Sequence, residues 1–152
     1  MTSSEGTSLR EPEAETPTRI VALDYGSGRC GVAVSDPTGT LATPLEAIRR
    51  PTTRKGFNRL LAAIREQAPV LVLVGLPLAL SGDDTAQTAE TRAFAEQLAR
   101  FVTVPVELYD ERFTTRMAQQ RVGSAAEDSR AAAVLLEGWL QRESRFGPDR
   151  AI

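Results

Sequence analysis

Val70-Leu71-Val72-Leu73-Val74 is an unbroken run of valine and leucine, closed by Gly75-Leu76-Pro77. A strand with water on one face alternates polar and apolar residues. A strand with no polar member has no face to give to water, so it belongs in a sheet covered on both sides. The flanking segments supply the cover. Residues 54–67 place Phe57, Leu60, Leu61 and Ile64 at helical spacing, and residues 85–101 read as a longer, alanine-rich helix. Residues 104–108 form a short strand whose Pro105 assigns it to an edge. Strand–helix–strand crossovers are right-handed, which sets the fourth and fifth strands parallel to the first.

The first part of the domain reads differently. Residues 19–23 and 30–34 are strands joined by a turn containing Gly26 and Gly28, and residues 40–48 form a third strand with Pro44 as an irregularity. Short connections make these an antiparallel meander. Helices over 114–122 and 128–143 complete the chain, the latter with Leu135, Leu136, Trp139 and Leu140 as its apolar set. The expected organisation is a polar tail over 1–17, one α/β domain over 18–145 and a short tail over 146–152, with no internal repeat.

Three acids stand at the boundaries of these elements. Asp24 ends the first apolar run, Glu111 follows the fifth, and Asp128 opens the last helix. Each has an ordinary explanation: a turn residue, a solvated pair with Arg112, and a helix N-cap. Their joint placement is what matters, because active sites of open α/β sheets gather at the C-terminal strand ends. The chain has no histidine and one cysteine, Cys30, so histidine triads, histidine metal motifs and multi-cysteine zinc sites are excluded. Carboxylates without histidine suit hard divalent cations, Mg²⁺ or Mn²⁺, which stabilise the attacking and leaving oxygens when a phosphodiester is hydrolysed. The residues thus suggest a metal-dependent nuclease with Asp24, Glu111 and Asp128 as ligands. Glu127 competes for the third place.

The same segments carry a family resemblance. They are Leu23-Asp24-Tyr25-Gly26-Ser27-Gly28-Arg29-Cys30-Gly31-Val32-Ala33-Val34-Ser35-Asp36, then Val74-Gly75-Leu76-Pro77-Leu78, then Asp110-Glu111-Arg112-Phe113-Thr114-Thr115, then Asp128-Ser129-Arg130-Ala131-Ala132-Ala133 with Leu135-Leu136-Glu137. In this order, from about Arg19 to Glu143, the sequence resembles the YqgF/RuvX family of pre-16S rRNA nucleases, also described as Holliday-junction-resolvase-like proteins. The resemblance implies an RNase H-like fold with a five-stranded mixed sheet ordered 3-2-1-4-5 and flanked by helices. It implies Asp24, Glu111 and Asp128 as catalytic metal ligands. It places Arg112, Thr114 and Thr115 behind the ligands or on phosphate, and Arg29 beside the scissile strand. The chain departs from the family in its short 122–127 connection, where a longer, lysine-containing loop is common, and in Ala79-Leu80-Ser81-Gly82.

Net charge is −2, which argues against a strongly basic nucleic-acid binder, but residues 1–17 carry four Glu and one Arg, which leaves the rest at +1, and arginine dominates the cations. Arginine suits bidentate phosphate contacts. Arg49, Arg50, Arg54 and Lys55 are the expected phosphate contacts besides Arg29 and Arg112, while Arg59 reads better as a solvated helix face. The implied partner is structured nucleic acid, a precursor ribosomal RNA end or a four-way DNA junction. The second would call for a homodimer. A non-catalytic RNA-binding assembly factor is a further reading. A sugar-kinase-like phosphotransferase is disfavoured, since such enzymes need two domains to enclose ATP. With no secretion signal, no apolar span and one cysteine, a cytoplasmic protein without membrane attachment is expected.

Overall fold

A computed structural model describes residues 19–113 and 125–151. Its elements run β1 (Ile20–Asp24), β2 (Arg29–Ser35), β3 (Ala42–Arg49), α1 (Arg54–Gln67), β4 (Leu71–Leu76), α2 (Ala86–Ala99), β5 (Val106–Asp110), a 3₁₀ turn (Glu111–Phe113) and α3 (Ala125–Ala151). The five strands form one sheet in the order β3-β2-β1-β4-β5. The β1–β2 and β2–β3 pairs are antiparallel, and β1–β4 and β4–β5 are parallel. This is the mixed sheet and the order expected of an RNase H-like domain.

The period-two geometry of β1 sorts its side chains between two cores. Val21 and Leu23 point to the face covered by α1 and α2, where they meet Phe57, Leu60, Ile64, Phe94 and Leu98. Ile20 and Ala22 point to the opposite face, where Ala132, Leu135, Leu136 and Leu140 of α3 cover them. Both faces of the central strands are therefore dry, which is why β1 and β4 carry no polar residue before their C-terminal ends. Cys30 is fully buried in the first core, as a small hydrophobe.

Three boundaries differ from the pattern reading. β5 starts at Val106 rather than 104, because Pro105 has no N–H to give to the ladder. The Pro105 carbonyl instead accepts from Val72 N at 3.0 Å. The shift carries the strand through Asp110 and leaves Glu111 on the turn at its end. The last helix begins at Ala125, so Asp128 lies inside it and is not its N-cap. It also continues to Ala151, beyond the apolar set that marks it in the sequence. The helix expected over 114–122 lies outside the described residues.

Candidate active site

Asp24 is the last residue of β1, and two glycines make room around it. On one side Asp24 pairs with Gly31 of β2. A Cβ at Gly31 would lie 2.0 Å from the backbone oxygen of Asp128, so α3 can cross the sheet here only over a residue with no side chain. The crossing is fixed by Ser129, fully buried, whose Oγ accepts from Val32 N at 3.1 Å. That N–H adjoins the register shift between Cys30 and Val32, and Ser129 supplies its partner. On the other side Gly75 of β4 sits next to the Leu23–Val74 pair. A Cβ at Gly75 would lie 3.0 Å from Glu111 Oε2, so its absence gives the Glu111 side chain its place against the sheet.

These three placements bring Asp24 and Glu111 into direct contact, with Asp128 nearby. Burial pushes the Asp24 carboxyl from its ordinary 3.8 up to about 7, with the charges of Glu111 and Asp128 adding to the effect. Burial also raises Glu111, against a hydrogen bond donated by the Asp24 carboxyl, which lowers it. The two carboxyls are in hydrogen-bond contact, and burial disfavours charge on both. Asp128 is held by a cation. Its Oδ2 accepts from Arg29 Nε at 2.7 Å, in a half-buried ion pair.

Tyr25, the residue after Asp24, is anchored on the other face. Its ring stacks on Phe94 at 4.3 Å and its hydroxyl donates to Glu90 at 3.0 Å. Arg112 is not presented to the site as a free cation. It forks onto Asp110, with Nη2 at 2.7 Å from Oδ2, and its Nη1 donates to the Leu80 carbonyl at 3.1 Å. It thereby pins the loop that turns at Gly82, whose φ is +94°. Thr114 and Thr115 lie outside the described residues, as does the side chain of Glu127. Arg49, Arg50 and Lys55 line one cleft together with Arg59, the residue read as a solvated helix face, whereas Arg54 is exposed outside that lining. Sequence reasoning passed over Gly31 and Gly75 as site residues. The signal was present in glycines that interrupt otherwise β-branched or leucine runs, which mark a close approach.

As they stand, the described residues hold no set of three or more acidic or cysteine side chains grouped closely enough for a metal ion. The donor chemistry nevertheless fits one. Asp24 and Glu111 are oxygen donors brought together out of water, where charge on either is costly. A divalent cation would supply the counter-charge that this burial lacks. Asp128 would complete the set by exchanging its Arg29 partner for the cation.

A mixed sheet of this order, with acids converging where β1 and β5 end, defines the class as an RNase H-like nuclease. The backbone is similar to that of Thermus thermophilus RuvC, solved in complex with a Holliday junction substrate. The match has a TM-score of 0.54 and 18% identity, and covers 86% of this chain and 96% of RuvC. The chain belongs to the RuvX family, described as Holliday junction resolvase, which matches residues 18–142. Among curated relatives, a protein of Anaeromyxobacter sp. (strain Fw109-5) is 41% identical over 131 residues, covering 80% of this chain and 96% of the relative. One of Mycobacterium leprae is 42% identical over 143 residues, covering 88% and 78%. Both carry the name "Putative pre-16S rRNA nuclease".

Proposed function

We propose that this protein is a divalent-metal-dependent endonuclease of structured nucleic acid that processes the 5′ end of pre-16S ribosomal RNA. The observation that carries the nuclease reading is the meeting of the Asp24 and Glu111 carboxyls, out of water, where β1 and β5 end, with Asp128 adding to the charge around them. Burying like charges together costs stability, and folds keep such clusters where chemistry uses them. Asp24, Glu111 and Asp128 would hold Mg²⁺ or Mn²⁺. When bound, the cation polarises the phosphodiester and offsets charge on the oxygens as the bond breaks.

The chain's own residues prepare this. Asp24 gives up its proton and presents carboxylate oxygen. Gly75 keeps Glu111 against the sheet, and Gly31 with Ser129 keeps α3 at the edge. Arg29, released from Asp128, supplies a guanidinium beside the strand. The names of the relatives support the ribosomal RNA substrate. The family description and the RuvC-like backbone favour a second reading, a four-way DNA junction. That reading needs two symmetric nicks and hence a homodimer with two sites. The test is to incubate the pure protein with each substrate in Mg²⁺ or Mn²⁺. Cleavage of the RNA alone, lost in EDTA, is the expected result. Cleavage of the junction alone would replace the substrate, and full activity in excess chelator would refute the metal.

A further inference from the structure

A cleft of about 520 Å³ is lined by Arg49, Arg50, Thr53, Lys55, Gly56 and Arg59. Four cationic residues line it, Arg49 through its backbone, whose carbonyl accepts from Arg59 Nη2 at 3.4 Å, and the lining includes no carboxylate. None of the four takes part in an ion pair among the described residues. The local backbone forces the crowding. Arg50 adopts a left-handed φ of +49°, and its carbonyl accepts from Thr53 N at 3.1 Å and Thr53 Oγ1 at 2.8 Å. A Cβ at Gly56 would lie 1.9 Å from that carbonyl, so only glycine lets the start of α1 press onto the turn. The Arg49–Arg50 backbone is thus held against the start of α1.

The charges also run against the helix. The first turn of α1 has no acid and carries Arg54 and Lys55, although an N-terminus favours negative charge. Clustered cations at the positive end of a helix dipole cost stability that an anion would return.

The position of the cleft identifies the anion. Arg50 N donates to the Gly28 carbonyl at 2.9 Å, and Arg49 pairs across the sheet with Arg29. Asp24 lies on β1, the next strand beyond β2. Two strand spacings, about 10 Å, separate the β3 and β1 backbones, and the cleft lies at the same sheet edge as the acids, within reach of one bound strand. We propose that the Arg49–Arg50–Lys55–Arg59 cleft seats one backbone phosphate of the nucleic-acid strand that is cut at Asp24 and Glu111. The proposal rests on the nuclease reading of that acid site. The lining has guanidinium forks suited to phosphate and no aromatic ring to stack a base, so the contact reads backbone and not sequence. The cations are exposed, and an exposed seat holds a free anion weakly. A phosphate tethered to a strand already bound elsewhere arrives at high effective concentration.

The test compares wild type with the double variant Lys55→Gln/Arg59→Gln, using fluorescence anisotropy of labelled RNA and DNA strands over a salt series in EDTA. A second double variant, Arg65→Gln/Arg100→Gln, removes the same charge from exposed sites outside the cleft and controls for the overall field. Equal thermal melts establish that both doubles are folded. The cleft double should bind about tenfold more weakly, and its slope of log affinity on log salt should be shallower by about 1, the contribution of one neutralised phosphate. The control double should keep the wild-type slope. Equal slopes in the two doubles would overturn the seat, as would the absence of strand binding by wild type. Inorganic phosphate that displaces the strand from wild type at millimolar concentration, but not from the cleft double, would reassign the cleft to a free anion. Because binding is read without metal, a wild type that binds with the expected slope but never cleaves would refute the nuclease reading and leave the phosphate contact standing.

Discussion

Asp24→Asn separates a structural acid from a functional one. In the metal-free protein the Asp24 carboxyl is raised from 3.8 to about 7 by burial and by Glu111 and Asp128. A folded-state value above the unfolded one means the native state holds the proton more tightly. Stability is then greatest below the unfolded value and falls as pH rises from about 4 to about 7. Above that window the native state carries the full cost of the ionised acid, at most about 4 kcal/mol for a difference of this size. Asparagine keeps the shape and the hydrogen bond to Glu111 and carries no charge. At pH 8 in EDTA the variant should therefore melt higher than wild type, by about 5–10 °C for a domain of this length. At pH 4 the two should coincide. Adding Mg²⁺ or Mn²⁺ should raise the wild-type melt and leave the variant nearly unmoved, because the wild type gains a ligand-linked term that the variant has lost. Cleavage should fall at least about a hundredfold, since charge stabilisation by the cation is worth several kcal/mol. Scanning calorimetry across pH with and without metal checks each part. A variant that melts below wild type at pH 8, with activity kept, would show that Asp24 is a turn residue and that the acid cluster carries no electrostatic strain.

Further outcomes follow from the same geometry. Asp128→Ser should abolish Mn²⁺ binding by titration calorimetry with little change in melting, because Asp128 lies inside α3 and caps nothing; retained binding would move the third ligand to Glu127. Arg29→Gln should change stability by less than about 1 kcal/mol, since its bridge to Asp128 is partly solvated, and should tighten Mn²⁺ binding by releasing the carboxylate; weaker metal binding would refute the competition. Gly31→Ala should cost about 3 kcal/mol or more in denaturant unfolding, because its methyl would meet backbone at 2.0 Å. Gly75→Ala meets side chains and not backbone: Glu111 Oε2 at 3.0 Å and Cγ at 3.1 Å, and Leu135 Cδ1 at 3.3 Å. It should unfold close to wild type and still lose most of its cleavage, and a fully active Gly75→Ala would show that the position of Glu111 is immaterial.

The apolar run over 70–74 determined much of the fold by itself. A stretch with no polar residue must be covered on both faces, and helix-period segments on either side of it leave a parallel crossover as the economical solution. The short connections among residues 19–48, including the turn with Gly26 and Gly28, similarly required an antiparallel meander. Asp24 and Glu111 were legible because a carboxylate directly after an apolar run stands at a strand end, and parallel strands put those ends on one edge. Other features depend on contacts between residues far apart in the chain. Nothing local to Gly31 or Gly75 says that α3 or Glu111 will fill the space of the absent side chain. In the sequence Asp128 reads as a ligand with an N-cap as its ordinary explanation, and the N-cap falls because the helix already starts at Ala125, before the apolar period begins. Arg112 looked like a phosphate ligand and is held by Asp110 and the Leu80 carbonyl. Arg59 looked like a solvated face and joins Arg49 and Arg50 across a turn whose shape depends on Gly56 meeting the Arg50 carbonyl. Sequence fixes periodicity, because burial of a strand or helix repeats along the chain. The partner each charged group finds is set by backbone approach in three dimensions, which periodicity does not encode.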